Sequence, residues 1–184
     1  MTEDARVRRE RGRELLRLYP EAVASFGRRV EEVARNQWAV ATADGSVREL
    51  VERLTAAQAR VPELLGGGAV PATGDPSADW SQAADAARAA FAAPGALDRE
   101  IGSADFCGPA VEYCAQLTVQ LTVATWDLAH ATCQDGRLAP ELVAFALHRV
   151  APEQGAGGDP QRRLLDLLGR PTGPKPSPDP EVHG

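Results

Sequence analysis

The sequence predicts an all-α protein, an antiparallel four-helix bundle with short extra helices. Three observations carry that reading. First, between Gly108 and Asp135 the apolar residues Val111, Cys114, Leu117, Leu121, Ala124, Leu128 and Ala131 recur every three or four positions, the spacing of a helix burying one stripe. Second, the same spacing returns in segments before and after it. Third, Ala and Leu dominate the 43% of residues that are apolar, and Arg and Glu are abundant; all four are strong helix formers. Val and Thr rarely alternate with polar residues, so strands have little support.

Residues 1–19 read as a charged arm carrying Arg6, Arg8, Arg9, Arg11, Arg13 and Arg17 with Glu3, Asp4, Glu10 and Glu14 interleaved, a solvated helix by its charge spacing. Pro20 suits a first helical turn and is expected to restart the chain as the first bundle helix over 20–36, with Ala22, Val23, Phe26, Val30 and Val33 on one face. Residues 39–46 read as a loop in which Ser46 can cap a second helix over 47–65. That helix buries Val47, Leu50, Val51, Leu54, Ala57, Val61 and Leu65, and Pro62 kinks its last turn. After a Gly/Pro connection at 66–76, Ser77 can cap a third helix over 78–93. Residues 96–107 are irregular or a short edge segment. The long helix follows, with Pro109 in its first turn and Asp135-Gly136 as its stop. Pro140 opens a helix through Val150, and a linker at 155–160 leads to a short amphipathic helix over 161–169. The tail 170–184 is Pro-rich and expected to be disordered or extended. The bundle domain is thus 20–169.

A chain of 184 residues is long enough for one domain with a sizeable core. The net charge of −6 speaks against a broad basic surface for nucleic acid, and no apolar run nears the ~18 residues that span a bilayer. The charged start reads as a chain without a signal peptide. Cys107, Cys114 and Cys133 are odd in number and form no C-x-x-C pair, which fits free thiols in a reducing cytoplasm.

The run LTVATWDLAHATCQDGRLAPELVAFAL, together with QWAVATADGSVRELVERLTAAQARVPELLGG, ALDREIG and QRRLLDLLGR, resembles the DinB-like superfamily. More narrowly it resembles the metal-binding N-terminal domain of mycothiol-dependent maleylpyruvate isomerase. The resemblance covers roughly 20–169 and implies a four-helix bundle. It also implies a divalent metal held by a histidine on the second helix and by a Glu and a His four residues apart on the long helix. This sequence carries Arg53, Gln120 and Ala124 at those three positions. A protonated guanidinium and a methyl group ligate no divalent cation, and an amide keeps one weak oxygen. The expectation is therefore no metal and no other cofactor.

An arginine in place of a ligand exchanges one fixed cation for another. Arg53 is expected to point inward beside Gln120 and Tyr113, and these three are the candidate catalytic residues. Gln116, Ala124, Asp127 and Trp38 complete a substrate-binding set, Trp38 also covering the end of the core. A buried guanidinium needs a partner, which could be Asp127, Glu52 or an anionic ligand. The leading expectation is metal-independent binding of a small organic anion in a pocket where the family metal site was, with isomerase- or cyclase-type biosynthetic conversion as one version. A non-catalytic bundle serving as a dimerisation or regulatory module is a second reading, and a homodimer stays open in both. A third is a rebuilt metal or thiol site at Asp127, His130 and Cys133, which recur every three residues near the helix end.

Overall fold

The computed structural model describes residues 3–103, 106–152 and 157–170, and they are mostly helical. The expected tail over 171–184 lies outside the described residues. The elements run α1 (Glu3–Glu31), a two-residue hairpin β1 (Ala41–Thr42) and β2 (Gly45–Ser46), α2 (Val47–Leu64), α3 (Pro76–Ala92), a single 3₁₀ turn at Ala96–Asp98, a second antiparallel hairpin β3 (Glu100–Gly102) and β4 (Cys107–Pro109), α4 (Ala110–Thr132), α5 (Pro140–Val150) and α6 (Pro160–Leu167). Helix α1 packs against α4 and α3, and α2 packs against α3 and α4. Their shared core is filled by Leu15, Phe26, Val51, Phe91, Leu117, Leu121 and Leu128. Helices α5 and α6 pack on each other beside α4 and enclose a smaller cluster around Trp126, Leu138, Val143 and Leu164.

The first helix corrects the sequence reading. Pro20 does not restart the chain but lies inside one continuous helix from Glu3 to Glu31. Proline removes the bond to the carbonyl four residues back; that residue is Leu16, at the surface, where water can take the freed oxygen. The buried stripe already begins at Leu15, Leu18 and Tyr19, so the second half of the arm is core. Its charge is matched by neighbours. Glu112 of α4 accepts from Arg11 and, at 2.8 Å, from Arg149 of α5, while Arg17 pairs with Glu141.

Helix α2 starts where Ser46 predicts. Its hydroxyl accepts from the Glu49 N–H and Glu49 reaches back to the Ser46 N–H at 2.7 Å, a capping box. Helix α3 is capped by Asp75 rather than Ser77, because Pro76 takes the first helical position and Asp75 accepts from the Ala78 N–H. Residues 96–107 hold the 3₁₀ turn and part of a hairpin, and Pro109 precedes α4 rather than entering it. Helix α4 stops at Cys133, which turns left-handed at φ 58°, two residues before Asp135.

Helix α4 buries polar residues without leaving them unmet. Thr118, Thr122, Thr125 and Thr132 each donate the hydroxyl to the carbonyl four residues earlier, at 2.7–2.8 Å. Opposite it, Gly27 of α1 lets the Trp80 indole in: a Cβ there would sit 3.1 Å from its ring nitrogen. That approach sets the edge-on contact of Phe26 with Trp80, 4.6 Å between ring centres.

Candidate functional site

Between α2 and α4 the core stays open. A cavity of about 460 Å³ is bounded by Leu50, Arg53, Leu54, Ala57 and Arg60 from α2 and by Tyr113, Gln116, Leu117, Gln120, Val123, Ala124 and Asp127 from α4. Ser103 and Phe106 of the second hairpin close one end; Asp44 of the first hairpin, Leu168 and Arg170 close the other. Six of the seven residues expected from the sequence therefore share one cavity: Arg53, Gln120, Tyr113, Gln116, Ala124 and Asp127. They share it because positions 113, 116, 117, 120, 124 and 127 fall on one face of α4, and 53, 57 and 60 on one face of α2.

Trp38 does not belong to it. Its half-buried ring packs on the core and lies beside the Arg48 guanidinium, 5.6 Å from the ring centre, and its carbonyl accepts from the Arg48 N–H. The turn after α1 holds it there, and it is not among the residues that border the cavity.

Arg53 differs from its expected state. It is exposed at the rim and not buried, because the buried stripe of α2 runs through Val47, Leu50, Val51, Leu54, Gln58 and Val61 and leaves position 53 at its edge. Its guanidinium donates to the Asp44 carbonyl at 3.3 Å. Neither Asp127 nor Glu52 is its partner. Glu52 pairs with Arg48, and Asp127, buried at 6% exposure, is held by Arg170. The Arg170 Nε and Nη2 donate to the two Asp127 oxygens, and Nη2 also reaches the Asp44 carboxylate at 2.9 Å. The bond to Asp127 holds the Arg170 guanidinium above its ordinary pKa.

Sequence reasoning missed Arg60, Asp44, Ser103, Phe106 and Arg170. Arg60 had a signal, since it follows Arg53 by seven residues, two helical turns and about 10 Å along one face. Arg170 had one too. Gly169 is left-handed at φ 67°, the Arg170 N–H bonds the Leu165 carbonyl and the Gly169 N–H bonds the Asp166 carbonyl. This is the Schellman ending that glycine after a helix announces, and it turns Arg170 back toward α4.

The cavity floor is apolar, with Leu50, Leu54, Leu117 and Val123, and Phe106 and Tyr113 lie ring to ring at 5.0 Å. Its walls hold three arginines and two aspartates. A divalent metal does not fit this donor set. The guanidinium of Arg53, the amide of Gln120 and the methyl of Ala124 offer one weak oxygen among them. Among the described residues no three His, Cys, Asp or Glu side chains come close enough together to hold an ion. Asp127, His130 and Cys133 diverge: Asp127 is held by Arg170, His130 stacks on Trp126 at 4.7 Å, and Cys133 faces solvent. Also among the described residues, no helix is long and apolar enough to cross a membrane. Set beside protein-family models, curated proteins and solved structures, the chain matches none of them.

Proposed function

We propose that the chain is a DinB-like four-helix bundle that binds a small organic anion in the α2–α4 cavity without a metal, in the cytoplasm. The observation that carries this reading is the cavity itself, in which Arg53, Gln120 and Ala124 share one open space of about 460 Å³. Ala124 leaves the room, and the exposed guanidinium of Arg53, whose one hydrogen bond among the described residues is to a carbonyl, supplies a cationic edge that favours an anion. Ligand pockets of this kind combine an apolar lining with a few converging polar groups. The floor and the Phe106–Tyr113 pair suit an apolar or aromatic body, with its carboxylate or enolate at Arg53. Gln120, Gln116 and the Tyr113 hydroxyl stand along the same wall as hydrogen-bonding groups. If the bound molecule is converted, an enolate formed in an isomerase- or cyclase-type step would be stabilised by the same guanidinium.

The test is calorimetric titration of a panel of small carboxylates, benzoate, hydroxybenzoate and maleate among them, into the wild type and into Arg53→Ala. Arg53 is exposed, so the variant keeps the fold. Removing a charged hydrogen bond at the rim weakens binding about ten-fold or more. Equal binding by the two proteins removes Arg53 from the role. No binding by the wild type, with a monomer–dimer equilibrium in sedimentation, favours the non-catalytic dimer module.

A further inference from the structure

On the other side of α4 from that cavity lies a second one, of about 240 Å³, bordered by Arg28 and Arg29 at the end of α1 and by Arg137 in the connection between α4 and α5. Glu21, Ser25, Thr122 and Thr125 complete its polar wall. Three guanidinium groups stand against Glu21 and the Glu32 that pairs with Arg29, which leaves one positive charge in excess, in a chain whose net charge is −6. Arg28 is oriented by Ser25, donating to its hydroxyl oxygen at 3.2 Å. Arg29 is anchored at 3.4 Å by Glu32, which lies outside the cavity wall. Ala139, in the same wall, starts α5 without a side-chain cap, so the partial positive charge of that helix end adds to the arginines.

The threonines define the other half of a ligand. Thr122 and Thr125 are buried, and their hydroxyl hydrogens are already given to the Thr118 and Leu121 carbonyls. What each still offers is an oxygen lone pair, an acceptor. A ligand here needs an oxyanion for the arginines and a donor for a threonine oxygen. A phosphomonoester brings three strong acceptor oxygens and about −1.5 to −2 charge at neutral pH, one oxygen for each guanidinium group, whereas a carboxylate brings two oxygens. Arginine forks also match phosphate oxygens in pairs.

We propose that this cavity binds a small hydroxyl-bearing phosphomonoester, with the phosphate held by Arg28, Arg29 and Arg137 and the hydroxyl donating to Thr122 or Thr125. The site is independent of the carboxylate reading of the first cavity. Its test is calorimetric titration of the full chain with glycerol 3-phosphate and with propyl phosphate, in a phosphate-free buffer at neutral pH. Wild type, Arg28→Ala/Arg137→Ala, Arg137→Glu and Arg53→Ala are compared, with far-UV circular dichroism as the check on fold. Arg28 and Arg137 are exposed, so their replacement leaves the core intact. Glycerol 3-phosphate is expected to bind the wild type and Arg53→Ala alike, more tightly than propyl phosphate does, and to lose about ten-fold or more in affinity in each arginine variant at this cavity. Absence of binding, binding unchanged in Arg137→Glu and the double variant, equal affinity for the two esters, or a loss confined to Arg53→Ala would each overturn the proposal.

Discussion

Arg170 and Asp127 meet as a two-pronged pair, with Nε 3.0 Å from one carboxylate oxygen and Nη2 2.9 Å from the other. The pair joins the turn that ends α6 to the buried face of α4, and through Asp44 to the first hairpin. It also cancels a carboxylate that would otherwise repel an anion in the cavity. Arg170→Ala is expected to lose about 3 kcal/mol of stability in urea unfolding, because a buried charge is left without its partner, and to bind carboxylates more weakly. Adding Asp127→Asn should recover part of both losses. The raised pKa of Arg170 makes its contribution full below its unfolded value and lost only as pH rises through the higher folded one. The Arg170 side of the pair is therefore insensitive to pH across the working range.

The open volume at Ala124 can be tested by filling it. Ala124→Leu places three further carbon atoms at the cavity wall. In a packed core such an insertion costs about 1–3 kcal/mol. Here the melting temperature is expected to stay within a few degrees while carboxylate binding disappears. A large drop in melting temperature would mean that the space closes in solution.

Two carboxylates at or near the surface, Glu49 and Asp79, shape the acid side of the stability profile. The Ser46 N–H and hydroxyl lower the pKa of Glu49, and the Thr73 N–H and hydroxyl, with the Gly74 N–H, lower that of Asp79. A carboxylate whose folded pKa is depressed stabilises the fold above its unfolded pKa and ceases to as pH falls through the folded one. Thermal melts should therefore be flat down to about pH 5 and fall below it, through the ordinary carboxylate range. Glu49→Gln and Asp79→Asn should each have lower melting temperatures at neutral pH and a shallower fall on acidification.

The helices were legible because their cause is local. The apolar spacing of α4, the Ser46 cap of α2 and the proline opening α5 are written in a few adjacent residues. So was the shared face of Tyr113, Gln116, Gln120, Ala124 and Asp127, since helical geometry converts spacing into position. What escaped depended on distance in the chain. The Leu15, Leu18 and Tyr19 stripe was hidden by the surrounding charges, whose partners Glu112 and Glu141 lie about a hundred residues away. Whether Arg53 sits in the core or at its edge depends on how α2 rotates against α4. The exclusion of Trp38 and the inclusion of Arg170 follow from turns at Gln37–Val40 and Gly169 that bring remote segments together or keep them apart.

The end of α4 gives the last prediction. Cys133 is the one non-glycine residue with positive φ among the described residues, at φ 58° and ψ 32°. Its N–H and that of Gln134 both bond the Ala129 carbonyl, so the turn requires this conformation. A side chain with a Cβ in the left-handed region costs about 1–2 kcal/mol, and glycine avoids that cost while adding freedom to the unfolded chain. Cys133→Gly is therefore expected to gain about 0.5–1 kcal/mol in urea unfolding, and Cys133→Ala nothing. The same variant reads out the thiols. Cys107 and Cys133 are exposed, while burial pushes the Cys114 thiol up to about 12, so it has almost no thiolate near neutral pH. A chromogenic disulfide reagent should titrate two thiols in the native wild type, one in native Cys133→Gly, and three and two respectively after denaturation. A third fast thiol in the native wild type would show that the core around Cys114 opens readily, and would count against the tight packing of α1 on α4.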